Sequence, residues 1–317
     1  MYRYVLKRLA QMILVLFGVT FIVYWLIDMT PGDPAVMILG NAASPENVAA
    51  LHEKYHLDDP LIIRYFRFMF GAVHGDFGES YKNGLSVGAT IAEKMPTTVR
   101  LAVSGMIIAV IIGIPTGIIC ALKPYTILDN SAMIFALIWV SAPAFWLGLM
   151  LIIIFALKLG WFPASGLGQG FWGSVRATIL PAWTACAACG ATIARVTRSS
   201  MLEIMNSDYV VTARAKGIKE WSVVMRHMFG NVLIPVTTII GLQFGMMLGG
   251  ACYTESVFSW PGLGRYLLDG VKAKDTPVIL GCVVVISVMT SLVNLITDIL
   301  YAFIDPRIKA QYKKGGN

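Results

Sequence analysis

The chain has 317 residues, 57% of them hydrophobic and only 14% charged, with a mean hydropathy of +0.70. Soluble domains carry about 25% charged residues, so a water-soluble globular protein is excluded and an integral membrane protein is expected. The net charge of +7 does not mark a nucleic-acid binder, because the basic residues stand at the ends of apolar runs instead of clustering on one polar face.

Crossing the hydrocarbon core takes about 20 mostly apolar residues in a helix. The first such run, 9–27, comes after Arg3, Lys7 and Arg8 and is expected to be a retained anchor, not a cleaved leader. Its 19 residues exceed the usual leader core of about 7–15, and the next residues, Asp28-Met29-Thr30-Pro31-Gly32, form a turn with no small-x-small site. Residues 28–100 hold Pro31, Pro34, Pro45, Pro60, His52, His56, His74 and nine carboxylates. A small extracytoplasmic subdomain is expected there. Ser44-Pro45-Glu46-Asn47 starts a helix, with Ser44 as N-cap, Pro45 at the first helical position and apolar periodicity to Leu57. His52 and His56 lack a neighbouring Cys or third His that would complete a metal set and read as solvated helix positions.

Five more runs occur, at 101–122, 131–157, 177–194, 232–254 and 277–304. The fourth crossing, 177–194, is short and rich in small residues, the weakest by hydropathy. Only the sixth contains a charge, Asp298. All five cysteines fall inside spans, and Cys186 and Cys189, among Ala, Gly and Thr with no basic neighbour, read as packing residues rather than a redox pair. Gly113-x3-Gly117 in the second crossing and Gly241-x3-Gly245-x3-Gly249 in the fifth are close-packing faces, either within the chain or toward another polypeptide. Ser287, Ser291, Asn294 and Asp298 fall at i, i+4, i+7 and i+11, on one face of the sixth crossing. That face, with Gln243 and Ser141, supplies candidates for a pathway or gate. For Asp298 an ion pair with Arg195 or Arg198 competes with substrate contact. Glu255 and Arg265 bracket the outer end of the fifth crossing, as candidates for the outer gate or an extracytoplasmic partner.

Orientation is set by the connecting segments. Those on the side of both termini (1–8, 123–130, 195–231 and 305–317) hold 14 Lys/Arg against 5 Asp/Glu, a net of +9. The opposite set (28–100, 158–176 and 255–276) holds 11 against 12, a net of −1. Positive charge is retained inside, so both termini are expected in the cytoplasm.

The longest segment on the positive side, 195–231, contains good helix formers from Tyr209 to Lys216, a stop at Gly217 and a second helical start near Lys219. Periodicity leaves two readings open: an interfacial helix held by lipid head groups, or a docking surface for a partner. An intramembrane protease is excluded by the absence of paired aspartates or histidines inside the spans. A self-contained channel or secondary transporter is the competing transport class, and it needs no ordered lever at the membrane surface.

Tyr209-Val-x-Thr212-Ala213-Arg214-Ala215-Lys216-Gly217, followed by His227-x3-Asn231-x3-Pro235, resembles the cytoplasmic "EAA" loop of binding-protein-dependent ABC importer permeases of the peptide/nickel/glutathione group. Further motifs resemble that group in the same order: Pro31-Gly-Asp-Pro34, Gly75-Asp-Phe-Gly78, Pro143-Ala-Phe-Trp-Leu-Gly148, Leu159 to Gly166, Thr197-Arg-Ser-Ser-Met201, Val257 to Arg265 and Asp305-Pro-Arg307. Asp208-Tyr209 stands where other members carry the motif's leading Glu, and Gly230 where a basic or polar residue is usual.

The resemblance implies an all-α, six-helix type I importer permease. Its parts are 1–27 as N-terminus and first helix, 28–100 as the extracytoplasmic subdomain, 101–304 as the five-helix core and 305–317 as a cytoplasmic tail. It further implies a peptide importer of the bacterial inner membrane, with glutathione or a nickel chelate as alternative cargo. The implied partners are a second permease, two ATPases and a substrate-binding protein, besides lipid, and no nucleic acid. A phosphate-binding loop needs a Gly-Lys dipeptide, which the sequence lacks, so ATP and Mg belong to the partners and the chain is expected to be a non-catalytic subunit. Contact with the ATPases is implied at Asp208, Tyr209, Thr212, Ala213, Arg214, Ala215, Lys216, Gly217 and Glu220. Ala213, Ala215 and Gly217 would admit the helix to a groove, and Arg214, Lys216 and Glu220 would form rim ion pairs. Pro235 would limit how the fifth crossing follows the lever.

Overall fold

The computed structural model describes residues 2–304, so the tail and the Asp305-Pro306-Arg307 motif lie outside the described residues. Within them every regular element is a helix, with one isolated antiparallel bridge, Glu79 to Ser86, in a loop. α1 (Tyr2–Asp28) runs unbroken through the first apolar stretch. Three short helices come next, α2 (Pro34–Leu39), α3 (Pro45–Tyr55) and α4 (Leu61–Val73). Local cap chemistry starts the first two: Asp33 accepts from Ala35 N at 2.8 Å, and Ser44 accepts from Asn47 N at 3.2 Å with Pro45 at the first helical position.

α5 (Val87–Leu122) begins well before residue 101, so part of the expected extracytoplasmic segment is the first turns of the second long helix. The third expected crossing is not one straight helix. α6 (Ile127–Ser141) and α7 (Ala144–Leu151), the latter continued by a π-helical stretch Ile152–Lys158, meet at 105°. The cause is local: the ring of Pro143 forces the preceding residue out of helical geometry, and Ala142 is extended at φ −72°, ψ 130°. α8 (Gly170–Met205) spans the weak fourth run and far exceeds it.

α9 (Asp208–Ala215) precedes α10 (Glu220–Ser222), which passes through a π turn, Val223–Met228, into α11 (Phe229–Val257). α12 (Leu263–Ala273) and α13 (Thr276–Ile304) complete the described chain. Among the described residues five helices are long and apolar enough to cross a membrane, and the bent pair brings the number to six if it counts as one span.

The chain divides into two compact units. The first holds Val99–Trp260 with the residues from Thr290 onward. Here α8 is the central helix: 67% of its most apolar window is buried, against 11% for α1, which explains how so modest a hydropathy serves a long helix. Small residues set its spacing to α5. A methyl on Gly113 would come within 2.7 Å of the Gly190 carbonyl, and one on Gly117 within 2.6 Å of the Ala194 carbonyl. On α11 the seam faces α13: a methyl on Gly241 would collide with Thr297, and one on Gly245 would stand 3.1 Å from Asn294 Oδ1. Gly249 is the exception, with nothing near it. The three-glycine face is a two-glycine seam within the chain.

The second unit holds Tyr2–Thr98 and Pro261–Met289. Its core joins Tyr24, Tyr65, Met69, Leu280 and Val284, and a second cluster joins Val87, Ile91, Leu263, Val278 and Cys282. His52 is not merely solvated. Its Nδ1 lies 2.7 Å from Asp58 Oδ1 and its Nε2 2.9 Å from Asp33 Oδ2, so one ring ties α3 to the cap of α2 and to the turn before α4. Hydrogen bonds to Asp58 and then Asp33 raise the His52 pKa above the usual histidine value. Partial desolvation works against ionisation of Asp33, and the bonds from His52 and Ala35 outweigh it and hold that carboxyl below its usual value.

Candidate functional site

The segment 195–231 is built on the end of α8. α9 starts after Ser207 and ends in a two-bond turn: Gly217 N donates to Arg214 O at 2.9 Å and Ile218 N to Ala213 O at 3.4 Å. Gly217 sits at φ +74°, a backbone region in which a Cβ is strained, so the stop expected at this glycine is enforced by geometry. The paired bonds return the chain sharply into α10.

An apolar cluster holds this turn. Val210 and Ala213 of α9 are buried with Met201 of α8, Ala121 of α5, Val223, Val224 and Met228 of the π turn, and Val232 and Val236 of α11, and Ile218 packs against them. Helices from three regions of the sequence therefore grip α9. Polar contacts add to the grip: Asn231 Nδ2 donates to Tyr209 Oη at 2.9 Å, joining α9 to the start of α11.

This geometry corrects several expectations about individual residues. Ala213, expected to admit the helix to a partner's groove, is buried in the chain's own core. Arg214 and Glu220 pair with each other, Nη2 to Oε1 at 2.6 Å, across the turn, so their charges fix the turn before they set any external register. The outward face consists of Asp208, Tyr209, Val211, Thr212, Ala215, Lys216 and, beyond the turn, Trp221, which is 74% exposed. Sequence reasoning misses Val211 and Trp221; large apolar side chains flanking a basic loop are the available signal. Gly217 is exposed with open space around it.

Arg198 makes the strongest ion pair of this region, and not with Asp298. Its Nε and Nη2 donate to the two oxygens of Asp129, each at 2.6 Å, and Asp129 Oδ2 also accepts from Tyr125 N at 2.8 Å. The Asp129 side chain is 0% exposed. The pair staples the start of α6 to α8.

The pathway candidates separate. Ser287, Ser291, Asn294 and Asp298 do occupy one stripe of the unbroken α13. That stripe flanks the seam with α11 made by Thr290, Asn294 and Thr297, and Asn294 belongs to both. Gln243 is buried within the chain and lines no open surface. Ser141 is exposed at the last turn of α6, where the chain bends. Glu255 is 0% exposed and so offers no surface to a partner. Arg265 is partly exposed, 3.9 Å from Asp269 one turn along α12.

The chain is similar to known proteins. A family described as "Binding-protein-dependent transport system inner membrane component" matches residues 113–310, and its N-terminal companion matches residues 1–102. The dipeptide transport system permease protein DppB of Alkalihalophilus pseudofirmus is 40% identical over 98% of this chain and 100% of its own length. The glutathione transport system permease protein GsiC of Escherichia coli K12 is 41% identical over 98% of this chain and 99% of its own. Among solved structures, an inward-facing form of the MetNI methionine ABC transporter aligns with a TM-score of 0.58 at 16% identity, covering 68% of this chain and 96% of that one. That last likeness is one of fold. With family models matching both parts of the chain, and with near full-length permease relatives, the protein belongs to the binding-protein-dependent transport system inner membrane components, multi-pass permease subunits of ABC importers.

Proposed function

We propose that this chain is one of two permease subunits of an ATP-driven peptide importer, with both termini in the cytoplasm, six crossings, and α9 as its contact with the ATPases. The single observation that carries the reading is the way α9 is held. One face is locked to α5, α8 and α11 by the Val210 and Ala213 cluster, while Tyr209, Val211, Thr212, Ala215 and Lys216 are left exposed. A helix anchored on one face and open on the other suits force transfer. A lipid-surface helix needs no anchor of this kind, and a self-contained channel needs no such lever. The extracytoplasmic placement of 28–100 rests on the charge asymmetry of the connecting segments. ATP and Mg are assigned to the partner ATPases.

The cargo reading comes from the relatives, whose names give dipeptides and glutathione, itself a small peptide. Mass spectrometry of the ligand carried by the cognate binding protein tests it. A short peptide supports it, and a metal chelate overturns it.

The coupling reading is tested by comparing Ala215→Arg, on the open face, with Ala213→Arg, on the locked face. Ala215→Arg is expected to abolish co-purification of the ATPases and transport while leaving the chain's thermal stability unchanged. Ala213→Arg is expected to destabilise the chain itself. Retention of the ATPases by a stable Ala215→Arg protein, with transport intact, overturns the assignment.

A further inference from the structure

We propose that α4 lies inside the bilayer leaflet at the Asp28 end of α1, its exposed stripe covered by lipid acyl chains, so that the segment after the first crossing is not wholly aqueous. The stripe comprises Ile62, Ile63, Phe66, Phe70 and Val73, a band about 100° wide at helical spacing. Phe66 is 58% exposed and Phe70 72%. An aqueous helix with such a face would present a large apolar patch to water.

The seat of the opposite face decides what covers the stripe. Tyr65 is buried against α1: its hydroxyl donates to the Phe17 carbonyl at 2.9 Å and lies 2.9 Å from Thr20 Oγ1. Its ring stands edge-on to Phe21 and Tyr24, at centroid distances of 5.2 and 5.8 Å. Thr20 lies eight residues before Asp28, roughly 12 Å along the helix, and Phe17 roughly 16 Å. Those contacts are well inside a hydrocarbon core about 30 Å thick. A tyrosine at the water surface keeps its hydroxyl wet, whereas this one turns inward to a carbonyl, as a polar group in lipid must.

The charges of α4 fit the same placement. Its two basic residues, Arg64 and Arg67, leave the apolar stripe free and are carried away from it: Arg64 Nη2 bonds Asp28 Oδ1 at 2.6 Å, and Arg67 Nη2 bonds Asp59 Oδ2 at 2.8 Å. Both acids stand at the end of the span or in the polar turn before α4, where a snorkelling guanidinium belongs. α1 itself exposes further apolar side chains, among them Leu14, Ile22 and Leu26. A strong apolar face with basic edges marks a membrane-bound helix and not a soluble one, and the contacts with α1 seat this helix deeper than the head-group boundary, within the leaflet.

The test uses the full-length chain assembled with its importer partners in proteoliposomes, with nitroxide attached at F66C and, separately, at F70C, and the signal of the unsubstituted chain subtracted. Collision rates with oxygen, which partitions into lipid, and with a water-soluble neutral nickel chelate are compared with those at L14C on α1 and N47C on α3. Oxygen-to-nickel ratios at both sites matching L14C and well above N47C are expected. Ratios like those at N47C overturn the proposal in favour of water. Low collision with both reagents overturns it in favour of cover by another protein.

Discussion

Removing the charge from Asp129 strands the Arg198 guanidinium. In the intact protein Asp129 accepts two charge-assisted hydrogen bonds from Arg198 and one from Tyr125 N, with no solvent access to its carboxylate. Breaking a buried pair from one side costs about 3–5 kcal/mol, because the remaining charge loses its partner but not its desolvation. Arg198 keeps 20% exposure and Asp129 none, so Asp129→Asn belongs near the lower figure and Arg198→Gln near the upper. A loss of about 3 kcal/mol is a shift of roughly 150-fold in the unfolding equilibrium. The double variant removes both charges together and is expected to lose far less than the sum, giving a coupling of about 3 kcal/mol or more, well above the roughly 0.5 kcal/mol error of independent sites. Denaturant titration in mixed micelles, followed by the chain's tryptophan emission, measures all four proteins. Simple additivity of the two single losses would refute the reasoning, since it would mean that neither residue's worth depends on the other.

The same geometry gives three further outcomes. Gly117→Ala should destabilise by about 1–3 kcal/mol, because its methyl meets the Ala194 carbonyl and Thr197 Cβ at 2.6 Å, while Gly249→Ala should be neutral or mildly stabilising; thermal unfolding of the pair checks this. Gly217→Ala, forced into a left-handed backbone at φ +74°, should cost about 1–2 kcal/mol and loosen the turn, read as faster hydrogen exchange over residues 208–222. The His52 bridge has a definite sign. Its folded-state pKa is raised, so its stabilisation is complete below about pH 6.5 and is lost as pH rises through the folded value. Protection of residues 45–58 in hydrogen exchange, corrected for intrinsic rates, should therefore fall with rising pH in the parent and stay flat in His52→Gln.

The spans were legible because hydrocarbon imposes length and composition on any helix that crosses it. The exceptions have physical causes. The fourth run was faint because α8 is buried by its neighbours and meets little lipid, so Ala, Gly, Cys and Thr serve where Leu would otherwise be needed. The first turns of α5 were hidden by Glu93, Lys94, Pro96 and Arg100, whose polarity disguises a continuous helix. The break in the third run was signalled by Pro143, a single residue among many apolar ones.

At the candidate site, the α9 helix and its stop were readable because capping is local chemistry. Which face turns inward was not, because the residues that claim Ala213 come from α5, α8 and α11. The Asp129–Arg198 pair, 69 residues apart, was likewise invisible to any local pattern. The apolar face of α4 was printed in the sequence, yet the prolines, histidines and carboxylates around it set the expectation for the whole segment.

The glycine seam on α11 also limits its neighbours. Backbone contact through glycine requires an uncovered Cα, and α13 has already claimed those of Gly241 and Gly245. The glycines left uncovered on α11 are Gly230 at one end and Gly249 with Gly250 toward the other. A foreign helix packing here is thus admitted at the ends and held off at the waist, at the spacing of about 8–10 Å that ordinary side chains set. The angle at which any second polypeptide crosses α11 is therefore partly prescribed by glycines it never touches.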